Sequence, residues 1–176
     1  IGIIGGTGPQ GLGIAKRLAI AGEDVIVGSR KEEKALTVVE EANEEIKEYN
    51  PKKLVGMANE DAAAAADVLI LTVPLQAQSA TLKTIKEHTK GKVLLDATVP
   101  LETAIGGPVS NVLHINPGSA AERAANILKD ADVKVVAAFN NISNSHLANI
   151  PNPIECDCLI CGDDGKAKEI ASDIIE

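Results

Sequence analysis

The sequence predicts an α/β fold: one doubly wound, mainly parallel sheet with helices on both faces. Three observations predict it. Short apolar runs alternate with helical periodicity along the whole chain, a pattern that calls for parallel strands joined by right-handed crossovers. Several of these runs are apolar on both faces, as strands buried between two helix layers are. A glycine-rich turn joins the first run to the first helix.

The elements follow in order. The run "IGII" at 1–4 leads into a helix over 11–21, which Gly22 stops. "VIVG" at 25–28 precedes an acidic helix over 31–49, whose charged side reads as a solvated outer face. "KLVGM" at 53–57 is followed by a helix over 59–66, and "DVLILTV" at 67–73 by one over 76–88. "KVLLDA" at 92–97 opens into an irregular stretch, 98–118, rich in Pro and Gly. A loop of that length after a strand is more often functional than idle. Ser119 and Glu122 have capping-box spacing at the start of a helix over 119–129. "VKVVAAF" at 133–139 and "CDCLICG" at 156–162 complete the strands, and Asp163 and Asp164 suit the positive end of a last helix over 165–175. No repeat or linker interrupts the chain, so 1–176 is expected to form a single domain. Ile1 already lies inside a strand pattern and "EIASDIIE" ends inside a helical one, so both ends read as cut.

Composition narrows the function classes. There are 17 Lys and Arg against 25 Asp and Glu, a net charge of −8, which argues against a nucleic-acid surface. One Tyr, one Phe and no Trp leave no stacking platform for single strands. No apolar stretch is long enough to cross a bilayer, and nothing resembles a signal peptide; a soluble cytoplasmic protein is the expectation.

The stretch "GIIGGTGPQGLGIAKRLA" places Gly6-Thr7-Gly8-Pro9-Gln10-Gly11 between a strand and a helix. In a Rossmann-like unit the first such glycine permits a tight turn, the second lets the backbone approach a pyrophosphate, and the third lets helix and strand pack closely. The helix N-terminus adds free N–H groups and partial positive charge. The second strand ends at Gly28, Ser29 and Arg30, where an NAD site places a carboxylate on the adenosine ribose. Ser29 can donate to phosphate oxygens, Arg30 can offer them a planar fork, and Lys34, one turn further, adds a third positive point. The corner is therefore read as a site for NADP. Lys31 is expected to face solvent.

The segments "IIGGTGPQGLGIAKRLAIAGEDVIVGSRKEEKA", "NEDAAAAADVLILTVP" and "CGDDGKAKEIASDII" carry a resemblance. The chain resembles the archaeal-type NADPH-dependent oxidoreductases that reduce or oxidise the 8-hydroxy-5-deazaflavin coenzyme F420. The likeness runs over nearly the whole length. It implies a Rossmann domain, NADP on the glycine loop, coenzyme F420 as second substrate, and a homodimer. It places Thr7, Gly8, Pro9 and Gln10 along the pyrophosphate, and Ser29, Arg30 and Lys34 around the 2′-phosphate. Leu75 and Leu101 would flank the nicotinamide. The stretch "AAFNNIS" at 137–143 would border the deazaflavin, with Asn140, Asn141 and Ile142 as contacts; some members have His where Asn140 stands. The two asparagines either bond the ring's polar edge or form Asx-turns at a strand end.

The reaction implied is hydride transfer between C4 of nicotinamide and C5 of the deazaflavin, with the reacting carbons about 3–3.5 Å apart. It requires no general acid at the hydride, and no catalytic side chain is assigned. Cys156, Cys158 and Cys161 read C-x-C-x-x-C but lack a fourth ligand; they are expected in a strand, packing as small apolar groups, with no metal. His88 suits a helix C-terminus, His114 lies in the long loop, and His146 sits near the second pocket. Two other readings share the glycine loop and basic corner: an imine- or ferric-type NADP-dependent reductase, and an NADP-sensing module without turnover.

Overall fold

The computed structural model describes residues 1–108 and 110–176; Val109, within the predicted loop at 98–118, lies outside the described residues. Six parallel strands form one sheet: β1 (Gly2–Ile4), β2 (Ile26–Ser29), β3 (Val55–Ala58), β4 (Val68–Leu71), β5 (Val93–Asp96) and β6 (Lys134–Ala137). Their order is β3-β2-β1-β4-β5-β6, the doubly wound arrangement with its switch point between β1 and β4. Every pairing is parallel and in short register, from Gly2 beside Ile26 to Asp96 beside Ala137.

Alternation along each strand divides the core into two layers. On one face Ile3, Val27, Ile70 and Leu95 meet α1 (Pro9–Ala21), α2 (Glu32–Ile46), α6 (Asn144–Ala148) and α7 (Gly165–Ile175). On the other, Ile4, Leu69, Leu71 and Leu94 meet α3 (Asn59–Ala65), α4 (Leu75–Ile85) and α5 (Ala120–Ile127). The near absence of aromatics is met by small contacts: Ala15, Ala19, Ala62, Ala63, Ala124 and Ala171 are fully or almost fully buried, so helices lie close on the sheet.

The local signals act as the sequence implies. Pro9 opens α1, and Gly22 closes it at φ 97°. Ser119 accepts from the Glu122 N–H at 3.1 Å, and Asp164 accepts from the Ala167 N–H at 2.9 Å. The helices predicted over 31–49 and 76–88 end earlier, at Ile46 and Ile85. Their last turns tighten into 3-10 geometry at Lys47–Tyr49 and Lys86–His88.

Two differences matter for function. The expected strand at 156–162 is not a strand: this segment makes one antiparallel bridge, Cys161 to Ala137, on the outer edge of β6. Both amide atoms of Asn141 bind its backbone, Nδ2 donating to Asp157 O at 2.7 Å and Oδ1 accepting from Leu159 N at 3.1 Å, which draws the segment out of ladder register. Cys156 and Cys161 are therefore exposed, and Cys158 alone packs against the core, where burial pushes its thiol up. The second difference is α6, which sequence periodicity misses. Its end and the turn after it are held from outside by Arg17, whose Nε donates to Leu147 O at 2.9 Å and whose Nη2 reaches the carbonyls of His146, Asn149 and Asn152.

Candidate functional site

The carboxyl ends of β1, β2, β4 and β5 open into a crevice of about 920 Å³. A second hollow of about 570 Å³ adjoins it and shares Ser29, Arg30, Asn59, Ala77 and Thr81. Ligands of doubly wound sheets bind at this edge.

The glycine loop forms the floor. Gly6 is buried beneath it, its N–H donating to Gly28 O at 2.9 Å, so it shapes the turn without lining the crevice. A Cβ on Gly11 would lie 2.5 Å from Thr72 Oγ1 and 2.6 Å from Gly6 Cα, so only glycine lets α1 sit this close to the strand ends. Gly8 is the reverse case. A Cβ there would meet no protein atom within 4 Å, because it would stand in the crevice itself. That is the cradle expected where backbone approaches a phosphate directly. Thr7, Pro9 and Gln10 line the same floor, but the Gln10 amide turns aside, donating to Phe139 O at 3.3 Å and Ile142 O at 3.1 Å.

The corner beyond β2 is basic, with Glu60 set apart in the adjoining hollow. Arg30, Lys31 and Lys34 all line the crevice; Lys31 is exposed to solvent, as expected, at its rim. Among the described residues none of the three is ion-paired; the acidic first turn of α2, Glu32 and Glu33, leaves them free. Ser29 is 5% exposed, and its Oγ accepts from the Lys31 N–H at 3.3 Å, which leaves the hydroxyl proton to donate into the crevice. No Asp, Glu, His, Cys or Tyr lines this crevice among the described residues. Three cations in a lining without a carboxylate, inside a chain of net charge −8, make it a place for an anion.

Asn59 is a site residue for which the sequence raised no expectation. The first residue of α3, it is 6% exposed, and its Oδ1 accepts from the Gly5 N–H at 3.0 Å. It stands between the glycine loop and the basic corner, and Gly28 makes room for it, since a Cβ there would lie 2.7 Å from Asn59 Oδ1. The signal in the sequence is its place at the head of "NEDAAAAADVLILTVP", directly after the third apolar run.

The far end of the crevice is neutral. It is walled by Val73 and Pro74 after β4, Ala97, Val99 and Leu101 after β5, and Phe139, Asn140 and Ile142 after β6. Leu75 does not reach it; it is 7% exposed and packs within α4. Asn141 does not reach it either, being spent on 157–159. Asn140 is neither an Asx-turn nor a free donor. Its Nδ2 donates to Asp96 O and Thr98 O, both at 3.1 Å, so only its Oδ1 remains to meet a ligand. Beneath this wall Asp96 is buried, its carboxylate held by Gln78 Nε2 at 2.7 Å and the Thr98 N–H at 2.9 Å. Burial raises its pKa above the ordinary value, partly offset by the Thr98 and Gln78 hydrogen bonds. His88, His114 and His146 are exposed and lie outside the crevice lining.

A parallel sheet in this order, with its glycine loop and basic corner turned to one crevice, defines a Rossmann-type dinucleotide-binding protein. The family model described as NADP oxidoreductase, coenzyme F420-dependent, matches residues 1–100, and the chain belongs to that family. An F420-dependent NADP reductase of Methanothermobacter marburgensis is 52% identical over 176 residues, covering 100% of this chain and 78% of that protein. A crystal structure from Arthrobacter sp. FB24, put forward as an F420-dependent NADP reductase, superposes with TM-score 0.76 at 25% identity, covering 98% of this chain and 78% of that one. A Streptomyces aurantiacus imine reductase shares the fold, with TM-score 0.65 at 16% identity over 98% of this chain and 50% of its own.

Proposed function

We propose that the crevice binds NADP(H) along its floor and coenzyme F420 against its neutral wall, and that the chain transfers a hydride between the two. The observation that carries this reading is the division of one crevice into a cationic end and an uncharged end, in a chain 52% identical to an F420-dependent NADP reductase.

The residues fit the dinucleotide. Gly8 leaves the space that a pyrophosphate needs, and the N–H groups opening α1 face it. Ser29, Arg30 and Lys34 hold the 2′-phosphate, with Lys31 adding charge, and the adjoining hollow takes the adenine end. Leu101, with Val73 and Val99, makes a dry surface for the nicotinamide. Asn140 Oδ1 and the Ile142 side chain border the deazaflavin. The coenzymes supply the chemistry, hydride movement between C4 of one and C5 of the other; the protein binds, orients and excludes water. No side chain is assigned as catalytic. The same reading, with the family resemblance, takes the enzyme to be a cytoplasmic homodimer, and sedimentation of the complete protein tests the pairing.

The test mixes the protein with NADPH and oxidised coenzyme F420 and follows the deazaflavin's visible band. Its loss at catalytic protein levels supports the proposal. Tight NADPH binding with no change in the band overturns it in favour of a sensing module, and NADPH oxidation by a cyclic imine alone overturns it in favour of an imine reductase.

A further inference from the structure

We propose that Gln10 is a positioning residue that ties the NADP loop to the wall of the acceptor pocket, fixing the turn against which the deazaflavin lies. The inference rests on the assignment of 139–142 as that wall. Gln10 belongs to the glycine loop, yet its side-chain amide is spent on the segment after β6. A single amide nitrogen gives its two protons to Phe139 O at 3.3 Å and Ile142 O at 3.1 Å, residues 129 and 132 positions away in the chain. Those carbonyls stand at the two ends of one turn, closed by the Ile142 N–H donating to Phe139 O at 3.2 Å.

The turn needs outside support. Phe139 has φ 64°, a left-handed conformation costly for a bulky side chain and kept only where surroundings over-determine it. Three side-chain amides supply that constraint. Asn140 anchors the turn to the end of β5, and Asn141 anchors it to 157–159. Gln10 alone comes from the dinucleotide floor. It therefore sets the position of the acceptor wall relative to the nicotinamide end, the one relation on which hydride geometry depends.

The experiment compares Gln10→Ala and Gln10→Met, the second keeping bulk without a donor, in the complete protein. The readouts are the NADPH Kd, by direct titration, and the KM for coenzyme F420. Ile142→Ala reports independently on the wall. Two neutral hydrogen bonds predict a rise of about tenfold in the KM for coenzyme F420 in either Gln10 variant. The NADPH Kd stays within about twofold, because backbone groups and the basic corner set it. An NADPH Kd that rises in step with the KM overturns the proposal, since Gln10 is then an ordinary part of the dinucleotide floor. A KM that moves in Ile142→Ala but in neither Gln10 variant overturns the tether and leaves the wall standing. A KM unmoved in all three overturns the wall assignment itself.

Discussion

Replacing Arg30 by Asp should convert a selective NADPH site into one that prefers NADH. Arg30 is exposed at the corner, without a carboxylate partner among the described residues, and lines both hollows. A hydrogen bond between charged groups contributes about 1.5–3 kcal/mol, and exposure favours the lower end, so losing the guanidinium costs about 2 kcal/mol. Reversing its charge adds repulsion. Two unit charges 4 Å apart interact by about 1 kcal/mol in water and about 4 kcal/mol at an effective dielectric of 20, which sets a further cost of about 1–2 kcal/mol at an open corner. The sum, about 3–4 kcal/mol, is several-hundred-fold in NADPH Kd. NADH lacks the phosphate and gains an acceptor for its ribose hydroxyl, so its Kd should hold or fall. Calorimetric titration of both cofactors at low and high salt measures this, and the native preference should narrow as salt rises. Equal loss of both cofactors, or a preference indifferent to salt, would refute the assignment of the corner.

Other outcomes follow from the same geometry. Gly11→Ala should lower stability by about 1–3 kcal/mol, because its Cβ meets Thr72 Oγ1 at 2.5 Å and backbone at 2.6 Å; a melting temperature equal to wild type contradicts that. Gly8→Ala should do the opposite, leaving the melt unchanged while raising the KM for NADPH about tenfold or more, since its Cβ meets only crevice. Asp96 sets a pH dependence. Burial lifts it above the ordinary value of 3.8, so the native state keeps its proton to higher pH than the unfolded chain does. Between those two values the native state binds more protons, and this contribution to stability declines as pH rises. Asp96→Asn should remove that slope; denaturant midpoints running parallel in the two proteins across this window would exclude it.

Periodicity and capping made the six parallel strands, both helix layers and the glycine floor legible, because each depends on neighbours within a few residues. The failures are mostly non-local. α6 is opened by Ser143, whose Oγ accepts from the Ser145 N–H at 3.3 Å, and its far end is held by Arg17, on another helix, through the carbonyls of His146, Leu147, Asn149 and Asn152. "CDCLICG" reads as a strand by composition, but β6 offers it only an edge, and Asn141 pulls it away. At the site, residue types pointed to Ser29, Arg30 and Lys34, while side-chain direction stayed hidden. Gln10 and Asn141 have their amides committed elsewhere, and Leu75 is buried rather than lining the crevice. Asn59 opens the quoted segment "NEDAAAAADVLILTVP", but its residue type does not announce that it joins the two hollows.

The make-up of the crevice wall also decides how the enzyme meets a change in acidity. Nothing lining it among the described residues is of a type that exchanges protons near neutrality. Curvature of the turnover rate across that range is thus expected from the two coenzymes rather than from a side chain of this lining. Substitutions along the wall should change the height of such a profile and leave its inflections where they were. Acidity then reaches the reaction through the coenzymes that meet there, and reaches the fold through Asp96 behind the wall.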